Sequence, residues 1–172
     1  NVLDTRLFRS PQACARGPRV QANCLEALEP NRTMLGNTQE RWLYEGLSNA
    51  NSRWTLLAQQ VPILQIDLGR NPDVFSPDLE KWDGATAARD RLFAAGEAAK
   101  LGNLVTVAGD VHQNSAGGLN KKFSDEKSAT LGIEFIVTSV SAAGDGFDIN
   151  DNFQTLLRKN AHLKFFNGQR GY

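Results

Sequence analysis

The sequence predicts an α/β protein built in layers, and three observations predict it. Residues Leu104 to Ala108, "LVTVA", form a short and almost wholly apolar run, the pattern of a strand covered on both faces. Residues Ala87 to about Leu101 follow a helical period, with Leu92, Ala95 and Ala99 on one face and Arg89, Asp90, Glu97 and Lys100 decorating it. Strand-like and helix-like segments interleave without internal repeats or low complexity, as layered α/β architectures require. At 172 residues the chain suits one domain with a sizeable core.

In chain order, "NVLDTRLFRS" reads as a strand running out into a loop, because Val2 and Leu3 are followed at once by charged residues. A long loop rich in Pro, Gly, Asn and Gln continues to Thr33. Asn37, with Glu40 three residues on, has capping-box spacing, so a helix is expected there, with Trp42, Leu43, Gly46 and Leu47 on one face and the polar cluster at 49 to 52 ending it. Trp54 to about Ala58 reads as a buried strand interrupted before Pro62, which cannot donate to a central ladder. Arg70 to Ser76 is a loop, and "SPDLEKWDG" adds a capped turn with Pro77 in its first-turn position. After the strand at Leu104, a Gly-rich loop is expected over Ser115 to Gly118. Leu131, Ile133, Phe135 and Val137 then alternate as in a strand, and "HLKFFNGQRGY" reads as a last short strand ending at a turn.

Asp110 and His112, in "VAGDVHQN" just past the buried strand, are the leading residues for chemistry. An extended backbone would let both face one cavity, where a carboxylate suits hard cations and an imidazole suits several transition metals. Two ligands do not complete a metal site, and a strand-end turn with a solvated carboxylate is the plainer alternative. His162, in "KNAHLKFF", reads as a strand-end histidine packed beside Phe165 and Phe166 or as a second residue of a site. Trp82 and Asp83 precede a helix and can form a pocket wall, with Arg89 available to grip an anion; a hydrophobic anchor plus an N-cap is the alternative. Ser139 and Ser141 lack a nearby base and read as turn residues. No Walker loop, nucleophile elbow or zincin motif is present. Cys14 and Cys24 lie in a loop without a core of its own; a bridge would staple it, and two separate buried thiols are the alternative.

Nineteen basic residues balance nineteen acidic ones, without a block of like charge, so no nucleic-acid-binding patch is read. No apolar run reaches the roughly 18 residues of a transmembrane segment, and the first residues lack a signal-peptide layout.

Taken in order, the segments "LDTRLFRS", "RTMLGNTQERWL", "SRWTLLAQQV", "WDG" with "AARDRL", "VAGDVH", "IEFIVTSVSAAGDG" and "NAHLKFFNGQRGY" resemble the PhoD-like (alkaline phosphatase D) family of metallophosphoesterases over nearly the whole chain. The resemblance implies an αββα sandwich with mixed sheets, hydrolysing phosphate mono- or diesters. It implies a dinuclear centre at which a metal-bound water or hydroxide attacks phosphorus. By position, Asp110 and His112 match the family's late Gly-Asp-x-His metal motif, with His112 and His162 lining the catalytic site and Trp82, Asp83 and Arg89 near the substrate. Iron and calcium are the implied metals, with zinc or manganese as alternatives. Export, to the periplasm, the cell surface or the medium, is implied too, and agrees with a Cys14–Cys24 bridge.

The departures shape a further expectation. The match begins in the middle of the family's catalytic domain, so residues 1–172 are expected to be its C-terminal portion, with other metal ligands and a covering sheet supplied by an N-terminal half, in the same or a separate chain. Ala85 and Thr86 after "WDG", and "QNSAG" after His112, differ from the family's usual runs. A non-catalytic scaffold that kept the fold and lost the chemistry is the rival reading.

Overall fold

Five strands, two of them (residues 104–108 and 130–136) rich in β-branched side chains, form one mixed sheet. They are β1 (Thr55–Ala58), β2 (Leu104–Ala108), β3 (Asn114–Asn120), β4 (Thr130–Ile136) and β5 (Leu163–Asn167), in the spatial order β1-β2-β4-β3-β5. β1, β2 and β4 run parallel, and β3 runs antiparallel to both β4 and β5. The computed structural model describes residues 1–69, 71, 73–125, 127–142 and 151–171, without the side chains of 151–153. Arg70, the 143–146 end of "TSVSAAGDG" and Tyr172 lie outside the described residues.

Two helices of thirteen residues, α1 (Gly36–Ser48) and α2 (Thr86–Ala98), cover one face of the sheet. Leu43 and Leu47 of α1 and Leu92 and Phe93 of α2 join Leu57, Leu104, Leu119 and Ile136 of the strands in one core. Trp42 and Gly46 lie on the outward side of α1, Trp42 being 51% exposed, so the apolar face of this helix is narrower than its sequence suggests. Nor does Asn37 cap it. The Thr33 hydroxyl accepts the N–H groups of Leu35 and Gly36, and Glu40 is drawn inward to Thr33 and Arg91. The turn after Pro77 does form, with the Asp78 carboxylate accepting the Glu80 N–H at 3.0 Å; the 3₁₀ turn that follows at Trp82–Ala85 has no side-chain cap. A third helix, α3 (Asp151–Lys159), was not expected from sequence.

The Gly-rich stretch after Ser115 is the strand β3, not a loop. Its glycines permit close strand approach: a Cβ at Gly117 would meet the His162 carbonyl at 2.9 Å. Across the covered face, Leu57, Thr106, Glu134 and Gly117 sit opposite one another in register. Glu134, at 0% exposure, is the centre of that row. Its carboxylate accepts from Ile63 N–H (3.0 Å), Leu64 N–H (2.8 Å), the Thr106 hydroxyl (3.1 Å) and Gln59 Nε2 (3.3 Å).

On the opposite face the register aligns Leu56, Val105 and Ile133, then Ala58, Val107, Phe135, Ala116 and Phe165. Leu56 (50%), Phe135 (44%) and Phe165 (52%) are exposed there. Thus β2 is covered on one side by this chain, and its second apolar face stays open. The Cys14–Cys24 bridge is formed, pinning the loop that runs from Ser10 to Thr33.

Burial pushes the Glu134 carboxyl up from the ordinary 4.5 to about 7, against the pull of the Leu64 and Ile63 N–H groups and the Thr106 and Gln59 side chains. A carboxyl whose pKa is higher in the fold than in the open chain favours the fold at low pH. Its contribution is complete below about 4.5 and is lost as the pH rises through 7. That difference amounts to about 3 kcal/mol. Denaturant unfolding of the protein from about pH 4 to pH 8 should show this decline, and Glu134→Gln should be destabilised and should lose that part of the slope; an unchanged slope in the variant excludes the assignment.

Candidate functional site

β2 ends at Ala108, and the chain then turns over the end of β4 to enter β3. Backbone bonds from Gly109 N–H to Gln60 O (3.2 Å) and from Val137 N–H to Ala108 O (2.9 Å) fix that turn. It lies beyond the carboxyl ends of the parallel strands β1, β2 and β4, where open α/β sheets place their ligands. Asp110 and His112 both adopt left-handed backbone, with φ of 72° and 56°. Residues other than glycine rarely do so, and such strain gathers at functional sites.

Both residues line one cavity of about 340 Å³. Arg19, Asp78, Lys81 and Asp83 also line it, as do Pro62, Leu64, Ile66, Leu68, Leu156 and Phe166. The Asp110 side chain is 22% exposed and is gripped by Lys81 Nζ and by the Arg6 guanidinium. Lys81 also lies 3.9 Å from Asp78, which pairs with Arg19 at 3.3 Å. Charges therefore alternate along the rim, from Arg19 through Asp78, Lys81 and Asp110 to Arg6. Burial opposes ionisation of Asp110, yet the hydrogen bond and charge of Lys81, joined by Arg6, hold its pKa below the usual carboxylate value.

The other residues picked from sequence are placed differently. Trp82 is 1% exposed, in the core, with its indole N–H donating to Gln59 Oε1 at 2.8 Å. Gly84, two residues on, is packed so closely beneath Leu79 that a side chain there would overlap the Leu79 carbonyl. The "WDG" turn is thereby clamped to the chain before it. Arg89 is 4% exposed and pairs with Asp83 (3% exposed) at 2.5 Å, so it faces inward rather than decorating the surface of α2. Asp83 reaches the cavity wall, and Trp82 and Arg89 do not. Burial raises the Asp83 pKa while Arg89 opposes the rise.

His162 is 5% exposed and does not meet Asp110 and His112. Its Nε2 lies 2.6 Å from the Gln65 carbonyl, and its ring meets Phe123 edge-on at 4.7 Å between centroids. Burial lowers its pKa, and the Gln65 carbonyl works the other way. Sequence reasoning missed Lys81, Arg6, Asp78 and Arg19. The one signal for Lys81 was its place beside "WDG"; the others sit in loops without a pattern.

Asp110 and His112 line one cavity and offer carboxylate oxygen and imidazole nitrogen, the donor types of a mixed site for a divalent or trivalent cation, while Arg6 and Lys81 engage both Asp110 oxygens. The fit is to part of a site: among the described residues no three His, Cys, Asp or Glu side chains are grouped to hold a metal ion. No helix among the described residues is long and apolar enough to cross a membrane.

Comparison with known proteins is consistent along the whole chain. A family model described as PhoD-like phosphatase matches residues 1–172. Alkaline phosphatase D of Bacillus subtilis (strain 168) is 37% identical over 173 residues, a match that covers 100% of this chain and 29% of that protein. A solved structure titled "Structure of PhoD" superposes with a TM-score of 0.93 at 36% identity, over 100% of this chain and 32% of that one. The chain thus spans less than a third of the length of either relative.

The Asp83–Arg89 pair is buried on both sides, so removing one partner leaves an uncompensated charge. Arg89→Met should cost about 3–5 kcal/mol in denaturant unfolding, and the double variant Asp83→Asn with Arg89→Met should recover most of it. Additive losses would show that the pair acts only by packing.

Proposed function

The chain belongs to the PhoD-like phosphatase family, and on that premise we propose that it carries the late part of a metal-dependent phosphoester-hydrolase site. The observation that carries this reading is the pair Asp110 and His112, strained in left-handed backbone and lining one cavity beyond the ends of the parallel strands. Asp110 and His112 would hold one ion of a two-metal centre, iron and calcium or alternatively zinc or manganese. Bound there, the metals supply Lewis acidity toward the ester oxygens and lower the pKa of the attacking water.

This chain's own residues do the rest of its share. Lys81 and Arg19 are the lysine and arginine of the cavity's lining, each paired with a carboxylate, and are the groups that would meet the phosphoryl oxygens of a mono- or diester. Lys81 and Arg6 keep Asp110 ionised, the state in which it can bind a cation. The Asp83–Arg89 pair and the clamped "WDG" turn hold Lys81 in place behind Asp110. His162 supports the wall through Gln65, whose side chain bonds Asp83 at 3.2 Å.

The remaining ligands come, in this reading, from an N-terminal part of the same domain, in the same or a separate polypeptide. The open row of Leu56, Ile133, Phe135 and Phe165 supports it, since an apolar sheet face of this extent marks a surface that another element covers. The Cys14–Cys24 bridge supports export, because such bridges persist in oxidising compartments; recovery from the cytosol with both thiols free would count against it.

In the full-length protein, Asp110→Asn and His112→Ala should each lose bound metal, measured by elemental analysis. Affinity should fall by more than the roughly 10- to 100-fold that loss of an outer-shell partner costs. Release of phosphate or alcohol from mono- and diester substrates should fall in parallel. Variants that keep full metal content and full turnover would favour a scaffold without chemistry. Phe135→Asp should destabilise the same protein by about 2–5 kcal/mol if the sheet face is covered; a change within about 0.5 kcal/mol would mean that it meets water.

A further inference from the structure

The loop from Ser10 to Thr33 carries one lining residue of the cavity, Arg19, and is built on a small core of its own. Ala13, Ala27 and Leu79 are buried together there, with Cys14 and Cys24 packed against them, apart from the main core of sheet and helices. Two alanines and a leucine bury too little apolar surface to order a loop of this length, so the bridge carries much of that task. Leu79 is the link outward. It belongs to the segment between Pro77 and Lys81, which pairs with the loop as a short antiparallel strip. Leu79 N–H donates to Arg19 O (2.9 Å), Gln21 N–H donates to Pro77 O (3.3 Å), and Val20 bridges Asp78 between them.

That pairing sets the Arg19 guanidinium 3.3 Å from Asp78 and 3.2 Å from Glu80. Asp78 is buried, at 6% exposure, and Lys81 lies 3.9 Å from it. Without Arg19, the Asp78 carboxylate would compete with Asp110 for the Lys81 ammonium, because a buried charge needs a partner. We propose that the Cys14–Cys24 bridge is a positioning element for the cavity. It holds Arg19 on Asp78, keeps Lys81 on Asp110, and thereby ties substrate binding to the oxidation state of the two sulfurs. The inference rests on the phosphoesterase reading of the cavity and adds a redox dependence to it. Reduction by a dithiol breaks the Sγ–Sγ bond, each sulfur taking up one electron and one proton while the dithiol closes to its own disulfide. The base of the loop survives the change: buried Arg32 donates to the Gly84 carbonyl (2.8 Å) and to Glu26 (2.9 Å), and Ser10 N–H donates to Thr33 O (2.8 Å).

The test compares the full-length, metal-loaded protein in three forms: oxidised, reduced with dithiothreitol, and as the double variant Cys14→Ser with Cys24→Ser. Without the bridge, trypsin should cut after Arg19, a bond that the pairing with Asp78 protects, while circular dichroism at the assay temperature stays unchanged. KM for a phosphomonoester should rise about tenfold with kcat nearly kept, as expected for one lost charge-assisted contact, and the Kd of inorganic phosphate should rise alike in calorimetry. Arg19→Gln in the oxidised protein should reproduce the rise, Arg19→Lys should recover part of it, and joining Arg19→Gln to the two serines should add less than about twofold. Should the serine variant fail to fold, the oxidised and reduced forms decide. Equal KM and equal cleavage with and without the bridge overturn the proposal. A loss confined to kcat, or effects of Arg19→Gln and of the serines that simply multiply, overturns it too, since the bridge would then be a staple only. No phosphate release from any ester, with phosphate affinity still following the bridge, overturns the phosphoesterase reading and leaves an anion site that the bridge positions.

Discussion

The segment that begins the cavity's apolar wall is held by one buried carboxylate. Glu134 stands in the middle of β4 with no water to solvate it, and it accepts the two backbone N–H groups of Ile63 and Leu64. Those groups belong to a segment with irregular backbone, which could not be buried unless its polar atoms found partners. Gln59 donates to the same carboxylate and accepts the indole N–H of Trp82, and Trp82 follows Lys81 directly. A path of hydrogen bonds thus runs from the centre of the sheet to Trp82, next in the chain to the lysine whose ammonium grips Asp110. The apolar wall of the cavity begins with the very Leu64 that Glu134 holds.

The cost of that device is electrostatic. Low-dielectric surroundings favour the neutral acid and four donors favour the anion; burial outweighs the donors and leaves the carboxyl raised to about 7. The rim solves the same problem differently: cations flank Asp110 and Asp78, and the Asp110 carboxyl is held below its usual range by Lys81 and Arg6. An interior acid positions backbone, and the rim acids position cations.

Much of the frame was legible in the sequence. The apolar run at β2, the amphipathic period of α2 and the strand-end position of Asp110 and His112 are local patterns, and the structure keeps them. What local pattern cannot carry is which face turns inward. Ile133 and Phe135 look like the buried set of β4, yet Glu134 and Ile136 point to the helices and the aromatic side stays open. Arg89 looks like surface decoration on α2 until Asp83 is placed beside it. Glycines hid β3, whose strand character comes from its neighbours β4 and β5 rather than from its own side chains. α3 was missed because two turns of helix hold too few repeats of the 3.6-residue period. Arg6 and Lys81 reach Asp110 from 104 and 29 residues away, beyond the range of any motif.

The open row of Leu56, Ile133, Phe135 and Phe165 also bears on how such a protein is made. A sheet side that is finished by residues distant in sequence completes its burial only after a long loop closes, and contacts of that range form slowly. Until then the nascent chain displays a flat array of apolar strands, a surface that recruits chaperones and seeds aggregates. If an N-terminal part covers this face, as proposed, yield in a heterologous host would be governed less by the final stability of the domain than by how soon the two parts meet.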